Sequence, residues 1–225
     1  MPPHHAVSQS SEITIKCPEC GAEQSFTAWN SLNVGLNPEK KTALKDGSLT
    51  RFSCESCGHS SEIGYPMLYH DPERQFMVWL ANDGAEPPFA GTALGDVLAG
   101  YRLRWVTSRN QLVEKTHIFE NQFDDQTMEL FKASMAASPK GVPEGELLFA
   151  GLGKGAEDAV ELQFAVLAEG GTTQFIGTTR EAFEDTAELL APIANSALLE
   201  IGQWHRIDAA WANSLLEGHL PGPTA

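Results

Sequence analysis

Two pairs of cysteines are the residues of this sequence best suited to chemistry. Cys17 and Cys20 form the first pair, Cys54 and Cys57 form the second, and a glycine follows each pair. Two thiolates separated by two residues converge on one cation when the chain between them turns tightly, and the glycine permits the positive φ that such a turn needs. Four thiolates are a soft donor set that suits tetrahedral Zn²⁺. The spacing therefore predicts one zinc ion per chain, bound by all four cysteines.

Four sulfur ligands would fill the coordination shell of the zinc ion and leave no position for water. We therefore expect the metal to be structural and not catalytic. A structural zinc contributes on the order of 10–16 kcal/mol of apparent binding free energy at neutral pH. That is as large as the whole stability of a typical domain, about 5–15 kcal/mol, so we expect the N-terminal region to need the metal in order to fold.

Two other kinds of site use the same donor set. An iron–sulfur cluster is also held by four thiolates. A thiol switch would release zinc on oxidation and form the disulfides Cys17–Cys20 and Cys54–Cys57. The 33 residues between the pairs, 21–53, exceed the roughly 15–20 of an ordinary zinc ribbon, and we attribute the excess to an inserted helix.

Four blocks of this sequence follow one another in an order that is characteristic of a known family. They read CPECG, AWNSLNVGLNPE, RFSCESCG and YPMLYHDPERQFMVWL. Together they resemble the bacterial CpXC family, which is named for its two cysteine motifs. The resemblance covers Ile13 to Leu80, and a weaker likeness extends through RLRWVTSRNQLVEKTHIFENQFDDQTMELFK. It implies zinc binding at the four cysteines and supplies no catalytic residue to carry over, and Glu55 stands where the family motif has proline.

Other chemically capable residues fit structural roles better. His59 follows the second cysteine pair, but four thiolates already suffice for zinc. His70 next to Asp71 would be a general base with its orienting acid. We instead interpret this dipeptide as part of a turn that Asp71 caps, because adjacent residues of an extended chain rarely face each other.

Two further segments, both in the second half of the chain, are also interpreted as structural. GLGKG at 151–155 lacks the Ser or Thr that a phosphate loop needs after its lysine, so we predict a flexible hairpin loop there. The segment from Trp204 to Asp208 is typical of an aromatic contact followed by a helix N-cap. We find no nucleophile with a matching base, and predict no catalytic or cofactor-binding residue.

The amino-acid composition limits the classes of molecule that the protein is expected to bind. Thirty acidic residues against fifteen basic ones give a net charge of −15, which repels phosphate backbones and acidic membranes. One basic cluster surrounds the inserted helix, at Lys40, Lys41, Lys45 and Arg51. We identify no secretory leader and no apolar run of membrane-spanning length, and therefore expect a cytoplasmic protein with reduced thiols and no membrane partner.

Hydrophobic periodicity and capping residues predict a chain of both helices and strands. In the first half we predict strands at Glu12–Lys16, Gln24–Leu32, Leu49–Ser53, Ser60–Tyr65 and Gln75–Leu80, with a helix at Pro38–Leu44 capped by Asn37. In the second half we predict strands at Tyr101–Val106, Glu146–Ala150, Val160–Leu167 and Gln174–Gly177. Helices there should be capped by Ser108, Asp124, Thr178 and Asp208, the third ending near Pro192 and the last near Leu216.

The predicted fold class is α+β, with a small β-rich, zinc-ribbon-like N-terminal domain followed by a mixed α/β domain. A segment rich in Gly, Ala and Pro favours a boundary between them, because Pro87-Pro88 continues neither a helix nor a sheet. We predict a tail at 1–10, the CpXC-like zinc-binding domain at 11–82, a linker at 83–98, the α/β domain at 99–220 and a second tail at 221–225.

These observations lead to a functional hypothesis. The chain would be a non-catalytic zinc-binding protein that acts as an adaptor or interaction module for other proteins. A nucleic-acid or transcription-associated zinc ribbon is one alternative, and a thiol–zinc redox sensor is another.

Overall fold

The structure is a computed structural model that describes residues 7–81, 86–88, 98, 100–138, 141–155 and 159–219. Five helices and ten strands lie within these ranges, in mixed sheets, and this confirms the α+β class. The chain divides into two compact units, Met1–Val113 with Ile201–Trp204 and Glu114–Glu200 with His205–Ala225. Most of the predicted linker at 83–98 and the whole tail at 221–225 lie outside the described residues, so the predicted domain boundaries stay predictions.

The first unit is built on a mixed five-stranded sheet. In chain order its elements are β1 (Gln9–Lys16), β2 (Glu23–Asn33), α1 (Pro38–Lys45), β3 (Arg51–Ser53), β4 (Ser60–Glu62), β5 (Met67–Asp71), β6 (Phe76–Leu80), β7 (Arg102–Val106) and the start of α2 (Arg109–Glu120). The sheet has the order β1-β2-β5-β6-β7, and β3 and β4 form a separate hairpin. β1–β2 and β5–β6 are antiparallel, whereas β2–β5 and β6–β7 are parallel.

The parallel pairing of β2 with β5 explains the long gap between the cysteine pairs. Parallel neighbours need a crossover connection, and here it holds both α1 and the β3–β4 hairpin. The predicted inserted helix is thus confirmed. Pro38 begins it as expected, but the side chain of Asn37 makes no capping hydrogen bond. The helix ends at Lys45 with Asp46 as its C-cap, and Gly47 follows with φ +79°, a conformation that favours glycine.

Strand β5 is absent from the sequence prediction. Its last residues, His70 and Asp71, were expected in a turn, but both are buried strand residues. The turn begins one residue later, and Asp71 does cap it, because its carboxylate accepts the backbone N–H of Arg74 at 3.1 Å. Gln9 and Ser10, which were predicted to lie in the N-terminal tail, belong to β1.

The second unit combines a three-stranded antiparallel sheet with helices. After the end of α2 it contains α3 (Asp125–Ala137), β8 (Glu146–Lys154), β9 (Val160–Leu167), β10 (Thr173–Thr179), α4 (Arg180–Ser196) and α5 (Ala209–His219). The sheet order is β10-β9-β8. Aromatic side chains fill its core at ring-centroid distances of 5.0–5.9 Å, from Phe123, Phe131, Phe149, Phe164 and Phe183.

The helix caps of this unit follow the sequence closely, with two corrections. Asp124 caps α3 by accepting the Thr127 N–H at 2.8 Å. The cap of α4 is Thr179, not the predicted Thr178, and it accepts the Ala182 N–H at 3.2 Å. This helix also continues past Pro192 to Ser196, because the apolar residues after the proline pack in the cluster that α3 and α5 complete.

The glycine-rich segment expected in a loop is part of a strand. Gly151, Gly153 and Lys154 extend β8, and only Gly155 follows its end. Gly153 lies so close to Gln163 of β9 that a Cβ there would come within 2.7 Å of its side chain. The glycines of this segment thus serve close strand packing and not phosphate binding.

A buried ionic cluster joins α2 and α3 within the second unit. Lys115 contacts Asp125 at 3.1 Å and Glu129 at 3.3 Å. Lys132 contacts Glu114 at 2.6 Å and Glu129 at 2.9 Å. All five side chains are at least nine-tenths buried, so each charge depends on its partners for stabilisation.

The cluster also reaches the sheet. Glu114 accepts the backbone N–H of Phe149 in β8 at 2.7 Å. Burial raises the pKa of the Glu114 carboxyl even though Lys132 opposes this. Burial alone would lower the pKa of Lys132, but the neighbouring carboxylates of Glu114 and Glu129 raise it above the ordinary lysine value. The lysine therefore stays charged, and its charge holds the two acids in place.

We predict that Lys132→Met destabilises the protein by about 3–5 kcal/mol, because it leaves Glu114 and Glu129 buried with one cation fewer. Arg180→Met is the matched control, since its ion pair with Glu184 at 2.8 Å is exposed and should contribute only about 0.3–0.5 kcal/mol. Urea unfolding followed by circular dichroism measures both changes. Equal losses in the two variants would contradict a stabilising role for the cluster.

Candidate metal centre

The four cysteine sulfur atoms converge at one place in the first unit. They all lie within 4.8 Å of one another. Cys17 Sγ is 3.7 Å from Cys57 Sγ, and Cys20 Sγ is 3.6 Å from Cys54 Sγ. Four sulfurs around one ion at a metal–sulfur distance of ~2.3 Å form a tetrahedron with edges of ~3.8 Å. The thiols are thus grouped at distances compatible with binding a single metal ion.

Two hairpin turns of the same construction present these thiols. Cys17 and Cys20 lie in the turn of the β1–β2 hairpin, where the Cys17 N–H donates to the Ala22 carbonyl and the Gly21 N–H donates to the Cys17 carbonyl, both at 2.9 Å. Gly21 has φ +71°. A backbone of this shape points both sulfurs of a pair the same way.

The β3–β4 hairpin repeats this arrangement. The Cys54 N–H donates to the His59 carbonyl at 2.8 Å, and the Gly58 N–H donates to the Cys54 carbonyl at 2.9 Å. Gly58 has φ +76°. Glu55, which replaces the family's proline, does not prevent the turn from closing.

The site has a buried side and an exposed side. Cys17 and Cys54, the first cysteine of each pair, are buried, whereas Cys20 and Cys57 are exposed. A small apolar cluster lies behind the buried thiols around Phe52, with Ile15, Ala22, Phe26 and Ile63 packed against it. This cluster is shared by the two hairpins and holds them against each other.

Gln24 of β2 links the two hairpins by hydrogen bonds. Its Nε2 donates to the carbonyl of Ser53 at 3.0 Å, and its Oε1 accepts the N–H of Glu55 at 3.0 Å. These two backbone groups flank Cys54. One side chain of the first hairpin therefore fixes the backbone position of a thiol on the second. Nothing in the sequence around Gln24 indicates that its side chain links the two hairpins.

Arg109, at the start of α2, anchors the second hairpin from outside. Its Nε donates to Glu62 of β4 at 3.0 Å, and its Nη1 donates to the carbonyl of Leu44 at 2.9 Å. The Leu44 carbonyl belongs to the last turn of α1, where a cation is favoured. The arginine thus ties the inserted helix to the hairpin that carries the second thiol pair. This role was not predicted from the sequence, since the contact spans 65 residues.

The crowded thiols ionise unequally. The backbone N–H of Cys57 stabilises the Cys54 thiolate and lowers the pKa of Cys54 to about 7. The His59 N–H would lower the pKa of Cys57, but the neighbouring sulfurs, led by Cys20, favour its protonated form and raise that pKa to about 12. A cation bound between the four sulfurs would replace the remaining protons and stabilise all four thiolates.

The other sequence candidates lie outside this cluster. His59 contributes its backbone carbonyl to the second turn, and among the described residues the metal-compatible group consists of the four cysteines. His70 Nε2 is 3.1 Å from the Tyr101 hydroxyl. Burial lowers the pKa of the His70 imidazole, and Asp71 pairs with Arg74 instead. The general-base arrangement of His70 and Asp71 is therefore not formed.

The remaining candidates take up intramolecular contacts. Asp208 caps α5 by accepting the Trp211 N–H at 3.0 Å, as predicted. Within the basic cluster, Lys40 lies over the ring of Trp29 at 5.1 Å, and Lys41 pairs with the buried Asp71 at 3.6 Å.

A comparison with known proteins shows the family of this chain. A family model described as CpXC protein matches residues 15–132, more than half of the chain. The chain belongs to the CpXC family. The match includes both cysteine pairs of this CpXC protein and also the stretch 102–132, where the likeness was weaker. A search of curated proteins gave no match, and a search of solved structures gave none.

The hairpin link of the CpXC centre gives a testable prediction. Gln24→Met keeps the length of the side chain but removes both hydrogen bonds to the second hairpin. Because one hydrogen bond contributes about 0.5–1.5 kcal/mol, we expect the affinity for the probe ion Co²⁺ to fall about tenfold. Titration followed by the absorption of the cobalt–thiolate bonds measures this affinity.

Gln9→Met is the matched control, because Gln9 lies exposed at the far end of the same hairpin. It should leave the affinity for Co²⁺ unchanged. Equal affinities of the Gln24→Met variant and the unmodified protein would show that the two hairpins hold their positions without the glutamine.

Proposed function

We propose that Cys17, Cys20, Cys54 and Cys57 bind one structural Zn²⁺ per chain. The observation that carries this proposal is the pair of Sγ–Sγ distances, 3.6 and 3.7 Å, which match the ~3.8 Å edge of a zinc–thiolate tetrahedron. Each pair would supply two ligands from one hairpin. The zinc ion would neutralise the thiolates and join hairpins that are otherwise connected by a long crossover.

The donor geometry supports zinc over an iron–sulfur cluster. In such a cluster the four cysteines bind two or more different iron atoms, and their sulfurs must spread further apart than ligands of one ion. Here all four sulfurs lie within 4.8 Å of one another. Four thiolates also close the coordination shell, so the proposed role of the zinc is structural.

We further propose that the protein is a non-catalytic, cytoplasmic interaction or adaptor protein whose partners are other proteins. Reduced thiols favour an intracellular site. The excess of acidic residues disfavours phosphate-rich partners. No helix among the described segments has the length and apolarity that crossing a bilayer requires. Two of the four basic residues that a nucleic-acid ribbon would use, Lys40 and Lys41, instead contact Trp29 and Asp71.

Metal content tests the proposed site directly. We expect about one zinc per chain by elemental mass spectrometry of the untagged protein. Cys17→Ser and Cys54→Ser should each lose the zinc together with the fold of the first unit, because a structural zinc contributes on the order of 10–16 kcal/mol. Ser56→Ala, in the same turn as Cys54, is the control and should retain both.

Two results would overturn the structural-zinc proposal. Iron in place of zinc would show that the thiols hold a different centre. A first unit that stays folded after metal removal, judged by its circular dichroism and unfolding transition, would show that the metal does not stabilise it.

The exposure of half the ligands supports a second function for the same site, sensing of oxidants. Cys20 and Cys57 are exposed, and each lies within 3.7 Å of a thiol on the other hairpin. Hydrogen peroxide would oxidise two thiolates to one disulfide, with two protons taken up and two waters formed, and the zinc would be released. These contacts favour the disulfides Cys17–Cys57 and Cys20–Cys54 over bonds within each pair.

We predict that low concentrations of peroxide release zinc from the intact protein, which a chromogenic chelator reports. Peptide mapping by mass spectrometry should find disulfides between the hairpins, since these sulfurs are already in contact. A reductant should reverse the oxidation and allow zinc to rebind. Retention of zinc under excess peroxide would exclude the sensor while leaving the structural site intact.

A further inference from the structure

The edges of the sheets differ in how they are protected from pairing with other chains. An exposed edge strand offers unpaired N–H and C=O groups, and natural proteins protect such edges with charges, bulges or covering elements. β1 has a register irregularity between Gln9 and Ser10 and carries Glu12 and Lys16. β7 at the other edge of the first sheet carries two arginines.

β8, an edge of the second sheet, is protected in two ways. Its pairing with β9 shifts register between Phe149 and Gly151. The N–H of Phe149 donates to the buried carboxylate of Glu114, so a side chain of α2 takes the place of a neighbouring strand. The His117 ring also lies 3.5 Å from the place that a Cβ of Gly151 would occupy.

β10, the opposite edge of the same sheet, has none of these protections. Its seven residues, TQFIGTT, include no charge and no proline. It pairs with β9 in continuous register, and no strand in the described ranges pairs with its outer edge. Phe175, next to its central residue, is 68% exposed. An uncharged edge of seven residues in regular register, with an exposed aromatic side chain, favours pairing with another strand.

We propose that β10 pairs antiparallel with β10 of a second copy of this chain, joining two three-stranded sheets into one of six strands. The charges along the strand support this occupant. The chain carries a net charge of −15, yet this strand brings no like charges together across a two-fold axis. A two-fold axis relates the two strands antiparallel, so that both copies make the same contact.

The side chains of β10 also fit their own copy. With the two-fold axis at Ile176, each Phe175 lies opposite Gly177 of the other copy. A side chain at Gly177 would come within 2.7 Å of the Glu161 carboxylate, so this position needs glycine. The phenylalanine ring of the second copy would lie over that glycine, beside the Glu161 side chain, and an aromatic ring placed over a glycine of the opposing strand stabilises the pair. This two-fold contact pairs the β10 edges of both copies with each other. Neither copy then has a free β10 edge to which a third chain could add.

The oligomeric state and the exchange of β10 amides test this proposal together. We expect the intact, metal-loaded chain to dimerise in sedimentation-velocity experiments as its concentration rises, with hydrogen–deuterium exchange of β10 slowing in parallel. Phe175→Lys should raise the dissociation constant about tenfold or more and restore fast exchange. Leu36→Lys, a residue 61% exposed in the first unit, adds the same charge and should leave the dimer unchanged.

Three outcomes would overturn the proposal. The first is a chain that stays monomeric at every accessible concentration. The second is a dimer that survives Phe175→Lys while β10 exchanges rapidly, since this would place the contact elsewhere. The third is open-ended association into larger species, which would contradict a closed two-fold contact. Zinc content measured alongside separates these results from a failure of the metal site.

Discussion

Four thiols gathered within 4.8 Å are the constraint on which the first unit depends. Sulfur atoms this close ionise unequally, since the backbone N–H of Cys57 lowers the pKa of Cys54 whereas the neighbouring sulfurs, led by Cys20, raise the pKa of Cys57. The chain must therefore hold them together by other contacts or by a cation. It does so with a shared apolar cluster around Phe52, the Gln24 side chain between the hairpins and the Arg109 side chain behind the second one. A metal ion would replace the mutual opposition of the thiols with attraction to one centre.

In the second unit, buried charges are compensated by other side chains of the protein alone. Three carboxylates and two ammonium groups are buried between α2 and α3. Each lysine contacts two acids, and Glu129 contacts both lysines. Because removal of one partner would leave buried charges uncompensated, the cluster fixes the relative position of the two helices. The same cluster satisfies a backbone N–H of β8, so it also determines where the sheet ends.

The sequence predicted the features whose physical causes are local. The cysteine turns, the insertion that begins at Pro38 and the cap at Asp124 each depend on residues within a few positions of one another, and all were found. Gln24 and Arg109 were missed because their partners lie 29 to 65 residues away. Lys115 and Glu129 look like solvated surface residues, since burial of a charged side chain depends on a partner that the pattern does not reveal. His70 was assigned to a turn because Asp71 and Pro72 follow it, and both His70 and Asp71 are in fact strand residues.

The region that matches the family and the rest of the chain carry different proposed sites. The match at residues 15–132 contains the four cysteines and all five members of the buried ionic cluster, and it ends before β8. The contact of Glu114 with the Phe149 N–H therefore connects the matched region to the sheet that follows it. This contact closes the β8 edge, so a three-stranded sheet with one closed edge has only β10 left for pairing. The cysteines of the proposed metal site thus lie within the family match, whereas the strand proposed to pair lies outside it.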